Sequence, residues 1–177
     1  MKLDRDTEAV FRLQQYGAPP TIDGVVAAEI RRFNDEGGAM IELWRSGGPP
    51  PELAGFEPVQ INYSTLQPGV IKAFHVHRRQ TDVWFVPPED RVLLLLADVR
   101  EASPSQGRRL RMVLGDGRPM LVRIPPGVAH GCRNIGSGVA RVLYFTDRAF
   151  SVEPASCDEG RLPWDLLGAE AWETPRE

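Results

Sequence analysis

The sequence predicts an all-β, antiparallel sandwich or barrel, and two observations carry that prediction. Short apolar runs at about 108–114, 119–124, 129–134 and 139–145 are separated by Gly115-Asp-Gly117, Pro125-Pro-Gly127 and Gly136-Ser-Gly138. Strands of this length with turn residues at this spacing pair as neighbours in an antiparallel sheet. The second observation is what is missing: only residues 7–16 read as a helix, with Asp6 or Thr7 as cap and Gly17 with Pro19-Pro20 as stop.

Taken in order, Val25 to Phe33 reads as a strand, Asn34 to Gly38 as a turn and Ala39 to Arg45 as the returning strand, with a loop at Gly47–Pro51. Glu57 to Thr65 alternates, with Val59, Ile61 and Tyr63 on one face and Gln60, Asn62 and Ser64 on the other. Periodicity alone turns the amide face to water; in a barrel the same face lines a wet pocket instead. Gln67-Pro68-Gly69 is a tight turn feeding the next strand. Val83–Val86 and Arg91–Ala97 read as a hairpin across Pro87–Asp90. Its second arm, Val92-Leu-Leu-Leu-Leu-Ala97, is apolar on both faces and needs cover on both. A partner subunit or an N-terminal strand would serve as the outer cover. From Ser151 the pattern fades into a tail holding Leu162, Trp164, Leu166, Leu167 and Trp172.

The three histidines lie in two segments, Gly69-x5-His75-x-His77-x4-Asp82 and Pro125-x-Gly127-x2-His130-x3-Asn134. Strand side chains repeat direction every second residue, so His75 and His77 share a face, and His130 from a neighbouring strand would complete a pocket. These spacings resemble the two signature motifs of the cupin superfamily, with Asp82 replacing a glutamate. That resemblance implies a jelly-roll barrel (double-stranded β-helix) over about 22–150, within one domain of residues 1–177 that ends in an irregular or helical tail, 151–177.

More of the chain resembles the dTDP-4-dehydrorhamnose 3,5-epimerase family, as a divergent branch. The residues concerned are Val59-Gln60-x-Asn62-x-Ser64, Gly69-Val-Ile-Lys-Ala-Phe-His75, Ala97-Asp98-Val-Arg100-x-x-Ser103-Pro104-x-x-Gly107, Ile124-Pro-x-Gly-x-Ala-His130-Gly131, Leu143-Tyr144 and Pro163-Trp164-Asp165-Leu-Leu-Gly168. The family epimerises carbons beside the C4 ketone of a nucleotide-linked 6-deoxy sugar. The resemblance implies His75 as the base, Asp165 as its orienting acid and Tyr144 as the proton donor. Glu42, Gln60, Asn62, Lys72 and His130 would contact substrate. No cofactor is implied, and a homodimer is. Trp84 and Trp164 read as core rather than sugar platforms. Two departures stand out. The family lysine that steadies the enolate oxygen is replaced by Asp82 or Val83, and the family D-x-R-G-F appears as Asp35-Glu-Gly-Gly-Ala39, without its arginine. Arg31, Arg32, Arg78 and Arg79 are candidates to replace that arginine at the diphosphate.

Three functions fit these residues: a metal-free sugar-nucleotide epimerase, a metallocupin holding one divalent ion with His75, His77, Asp82 and His130, and a non-catalytic sugar-nucleotide binder. Imidazole suits proton abstraction because its ordinary pKa of ~6.5 leaves it largely neutral at pH 7, and a three-His, one-carboxylate set equally suits Zn, Fe, Mn or Ni. Bulk properties narrow the rest. A chain of 177 residues fits one domain, and at net charge −3 it lacks the basic stripe of a nucleic-acid binder. The two cysteines, Cys132 and Cys157, make no disulfide framework, and no run has the ~20 apolar residues of a membrane helix. A cytoplasmic protein without membrane or nucleic-acid partners is expected.

Overall fold

The computed structural model describes residues 1–14, 17 and 20–175. The chain runs through helix α1 (Arg5–Val10) and strands β1 (Val26–Glu29), β2 (Arg32–Asp35), β3 (Gly38–Ile41), β4 (Gln60–Leu66), β5 (Ile71–Val76) and β6 (Asp82–Phe85). It continues through β7 (Arg91–Asp98), β8 (Arg109–Gly115), β9 (Met120–Ile124), β10 (Val128–Asn134), β11 (Ala140–Thr146) and β12 (Gly160–Arg161). Two five-stranded sheets result, β1-β9-β6-β11-β4 and β12-β5-β10-β7-β8, with β2-β3 as a separate hairpin. This is the expected jelly roll. Among the described residues no helix is long and apolar enough to cross a membrane.

The sheets face each other across a core of Val92, Leu94, Leu96, Leu114, Val122 and Val142. Each sheet is also covered outside. Val83 and Phe85 of β6 pack under Trp44, Leu53 and Phe56 from the segment between β3 and β4. Leu93, Leu95 and Ala97 of β7 pack under Phe74 and Trp172, with Leu162 and Leu167 alongside. The outer cover of the two-sided strand is therefore the chain's own tail, not a partner subunit or an N-terminal strand. The tail is clamped there: Arg111 donates to the carbonyls of Ala171 and Glu173, and Arg133 to that of Trp172 at 2.6 Å.

Several local expectations change. Val83–Val86 and Arg91–Ala97 are not a hairpin. β6 pairs with β9 and β11 in one sheet and β7 with β8 and β10 in the other, so Pro87–Asp90 is a corner that carries the chain between sheets. Turn residues mark where a strand ends but not which strand it pairs with. The first strand is broken at Ile30-Arg31, and the turn of the β2–β3 hairpin is tighter than expected, at Glu36-Gly37. Helix α1 is capped by Asp4, whose carboxylate accepts from the N–H groups of Asp6 and Thr7 at 3.0 Å, and it ends by Val10. Gln15, Tyr16 and Pro19 of the expected helix and its stop lie outside the described residues. Of the tail residues, Leu162, Leu167 and Trp172 join the core, whereas Trp164 and Leu166 are exposed.

Two motifs in the sequence are structural. The Asp98 carboxylate collects Arg100 Nε at 2.8 Å and the hydroxyls of Ser103 and Ser105 at 2.5 and 2.6 Å, pinning the loop after β7. The Arg100 guanidinium holds its acid well below the usual carboxylate range. Asn134 donates to the carbonyls of Leu66 and Gly138, tying the β4 end to the β10–β11 turn.

Trp172 is 1% exposed and packs against Phe74 in a tilted pair with centroids 5.3 Å apart. Trp172→Ala is expected to cost about 3–5 kcal/mol, as large-to-small core changes do, measured as a lower urea midpoint at unchanged slope.

Candidate functional site

Between the open ends of the two sheets lies a cavity of ≈ 690 Å³. One wall is β4 and β11, the other β5 and β10. Gln60, Asn62 and Ser64 line it, so the amide face of β4 looks inward. The apolar face, Val59, Ile61 and Tyr63, is the exposed one, at 64%, 59% and 63%. This reverses the periodicity-based expectation: alternation shows two faces, and only the fold decides which is wet.

The three imidazoles converge here. His130 lies 5.9 Å from His75 and 5.4 Å from His77 between ring centroids. His130 stands opposite His75 in the β10–β5 register, but Cys132 stands opposite Lys72. β5 thus carries one extra residue, a β-bulge. The bulge turns both Lys72 and His75, three residues apart, toward the cavity, which a regular strand would not do. Gly131 makes it possible, since a Cβ there would meet Ala73 Cβ at 2.4 Å and its Cα at 2.9 Å.

The second sheet's edge is closed by β12, whose Gly160 and Arg161 pair with Val76 and His75. A Cβ on Gly160 would sit 2.6 Å from the Val76 carbonyl oxygen. The residues around this pairing grip the histidine strand one after another. Asp158 accepts with its carboxylate from the N–H groups of Arg78, Arg79 and Gln80 at 3.1, 2.8 and 2.9 Å, and with its carbonyl from His77 Nδ1 at 2.6 Å. Burial would raise the Asp158 pKa, yet these donors hold it below the ordinary value. Glu159 Oε1 accepts from His75 Nδ1 at 2.6 Å, and that bond, against the cost of burial, keeps its carboxyl ionised below the usual range. Arg161 Nη1 donates to His75 Nε2 at 3.0 Å. With a carboxylate on one ring nitrogen and a guanidinium on the other, the pairing assigns the ring N–H to Nδ1 and the lone pair of Nε2 to the Arg161 side.

Asp165 is elsewhere. It is exposed, in a turn where its carbonyl accepts from Gly168 N–H at 2.8 Å, and it does not line the cavity. The acid that touches His75 is Glu159. Glu42 is also outside, exposed and paired with Arg45. Tyr144 lines the cavity from β11, against Trp84. Burial first, then the Asp82 and Glu159 carboxylates, push the Tyr144 hydroxyl pKa up and keep it protonated. Lys72 lines the wall and donates to Ser64 Oγ at 2.9 Å. Glu159 and Arg161 were missed in sequence because a two-residue strand shows no periodicity.

Deeper in lie His77, Asp82 and His130, 5%, 3% and 2% exposed. Asp82 Oδ2 is 3.9 Å from His77 Nε2 and 3.6 Å from His130 Nε2, and potential ligand atoms of the three lie within 4.8 Å of one another. Both Nδ1–H groups are committed to backbone carbonyls, of Asp158 and of Val128. Burial pushes His130 down to about 4, so that ring is neutral at pH 7. Asp82 is otherwise met by Gln80 Nε2 at 2.7 Å and Trp84 Nε1 at 3.1 Å. His75 stands outside this cluster, so the four-residue metal set reduces to three.

An adjoining groove of ≈ 340 Å³, lined by Arg79 and Arg148, shares Gln80, Phe150 and Glu159 with the cavity. Arg31 packs over Phe33 and Arg32 pairs with Glu89, while Arg78 lines neither cavity nor groove.

Comparison with known proteins places this cavity in context. A family model described as dTDP-4-dehydrorhamnose 3,5-epimerase matches residues 19–165. The spore coat polysaccharide biosynthesis protein SpsL of Bacillus subtilis is 39% identical over 144 residues, covering 81% of this chain and 91% of that protein. A dTDP sugar isomerase from Desulfovibrio desulfuricans superposes with a TM-score of 0.73 at 28% identity, over 82% of this chain and 88% of that one. The dTDP-6-deoxy-D-glucose-3,5-epimerase of Legionella pneumophila, solved with dTDP-4-keto-L-rhamnose, superposes with a TM-score of 0.70 at 26% identity, over 81% and 75%.

Proposed function

Since the chain belongs to the dTDP-4-dehydrorhamnose 3,5-epimerase family, we propose that it epimerises a carbon beside the ketone of a dTDP-4-keto-6-deoxy sugar, with His75 as the base. The observation that carries this reading is the His75–Glu159 pair on one cavity wall, with a protonated Tyr144 on the other. Nε2 of His75 takes the proton from the carbon beside the carbonyl, and the C–H electron pair becomes the C=C bond of an enolate. Glu159, ionised and bonded to Nδ1–H, holds the ring and offsets the imidazolium charge. Tyr144 returns a proton to the opposite face. Gln60, Asn62 and Lys72 offer donors to the sugar hydroxyls, and His130 packs behind the base. Arg79 and Arg148 in the adjoining groove are suited to the diphosphate. Two free thiols, Cys132 and Cys157, fit a cytoplasmic setting, where such thiols stay reduced.

A second reading has its own observation. Two Nε2 lone pairs and a carboxylate converge at His77, Asp82 and His130, with both Nδ1–H groups tied to carbonyls, the arrangement that orients imidazole toward a metal. These residues fit a divalent ion of the Zn, Fe or Mn type with open positions toward the cavity. Such an ion would supply Lewis-acid polarisation of a carbonyl. We also propose a homodimer through β4, an edge strand whose outer face exposes Ile61 and Tyr63, with exposed Val59 just before it.

Heavy-water NMR on a dTDP-4-keto-6-deoxy sugar tests the first reading. The wild type is expected to exchange C3 or C5 hydrogen for deuterium. His75→Asn should lose about 10²–10⁴-fold of that rate, and Glu159→Gln at least about tenfold. Asp165→Asn should stay within about twofold of wild type. Binding of the sugar nucleotide by calorimetry without any exchange makes the protein a binder and not an enzyme. Metal analysis of untagged protein decides the second reading: about one ion per chain, lost in Asp82→Asn, supports it, and none removes it. Sedimentation should give twice the 19.7 kDa chain mass, reverting toward one chain in Ile61→Arg.

A further inference from the structure

We propose that Arg161 is the catalytic cation that takes up the charge of the enolate oxygen, an assignment that rests on the epimerase reading. Removing a proton beside a ketone sends the carbonyl electron pair onto its oxygen. That oxygen is bonded to the neighbouring carbon, so it comes to rest close to the nitrogen that took the proton. A donor preorganised at that place is the largest single source of rate in such reactions. The residue that occupies the family lysine position here is an acid, Asp82, or the apolar Val83.

Among the described residues, two cations line the cavity, Lys72 and Arg161. Two of the three Lys72 Nζ donors go to Ser64 Oγ at 2.9 Å and the Thr65 carbonyl at 3.2 Å, which holds this ammonium on the β4 side, away from His75. Arg161 Nη1 already donates to the nitrogen that must act, His75 Nε2, at 3.0 Å. Its second amino group lies 3.3 Å from Glu159 Oε1, the oxygen that accepts from His75 Nδ1. One carboxylate therefore positions both the base and the cation. The backbone fixes the same relation, because Arg161 stands directly opposite His75 in the β12–β5 pairing.

The side chain is 63% exposed, so the guanidinium has room to shift from Nε2 to a ketone oxygen beside it while Glu159 still holds it. In the free protein the guanidinium covers the Nε2 lone pair. When substrate enters, the ketone oxygen takes over the Nη1–H and Nε2 is released toward the C–H bond. The proton then passes to Nε2, the C–H pair forms the C=C bond, and the oxygen carries its charge against the guanidinium. Reprotonation of the same carbon from Tyr144 reverses these shifts and leaves an imidazolium at His75 and a phenolate at Tyr144; proton exchange with solvent returns both to their starting states, so no other co-reactant is needed.

Deuterium incorporation into dTDP-4-keto-6-deoxy-D-glucose at saturating substrate, followed by NMR, is compared for wild type, Arg161→Gln and Arg161→Lys, with dTDP affinity by calorimetry as the check on fold and nucleotide site. Arg161→Gln is expected to lose about 10²–10³-fold in exchange rate with dTDP affinity unchanged, and Arg161→Lys to recover part of it. Exchange by Arg161→Gln within about threefold of wild type overturns the assignment. So does a loss that vanishes at saturation while dTDP affinity falls, which makes Arg161 a diphosphate ligand. Exchange by wild type with Arg161→Gln unimpaired sinks this assignment alone, whereas absence of exchange in wild type sinks the epimerase reading as well.

Discussion

Gly160 and Arg161 add two residues of strand to the open edge of β5, and the chemistry of the cavity hangs on that pairing. Without it β5 would end the sheet with bare N–H and C=O groups, and His75 would have neither an acid on Nδ1 nor a guanidinium on Nε2. So short a strand has little strength of its own. Its hold comes from either side: Asp158 gathers three backbone N–H groups just before it, and just after it Phe74 and Leu162 exchange backbone hydrogen bonds at 3.2 and 2.9 Å. The absence of a side chain at Gly160 is what lets the two backbones approach.

The three histidines, brought together from two segments of the sequence, divide into two environments. His75 is half-buried at the cavity wall, flanked by ionised groups, and keeps contact with solvent. His77 and His130 are buried, their Nδ1–H groups committed to backbone carbonyls, their Nε2 atoms turned on Asp82. Replacing a cation by Asp82 next to a developing anion would oppose the reaction, since like charges ~4 Å apart repel by about 4 kcal/mol at an effective dielectric of ~20. Asp82 is instead turned toward two imidazoles, Gln80 and Trp84, so its charge is spent deep in the cavity.

What the sequence made legible was whatever local spacing encodes. His-x-His on a strand put two imidazoles on one face, and Pro125-x-Gly127-x2-His130 brought the third beside them. Strand positions from Gln60 onward followed from alternation and turn residues. Pairing across long separations was not legible: Val83–Val86 and Arg91–Ala97 look like a hairpin because Pro87–Asp90 looks like a turn, and only the second sheet explains why they part. The inward direction of Gln60 and Asn62 needed the opposite wall. The bulge that brings Lys72 in needed Gly131 of another strand. Glu159 was hidden because its partner lies 84 residues back.

The segment that delivers Glu159 and Arg161 to His75 is continuous with the one that roofs Leu93 and Leu95 through Trp172. Stability and turnover are thereby soldered together on that side. A lineage cannot reshape the tail for a bulkier sugar without also unroofing the barrel. Adaptation to new substrates is channelled to the opposite wall, where Gln60, Asn62 and Ser64 line the cavity and take no part in the hydrophobic core.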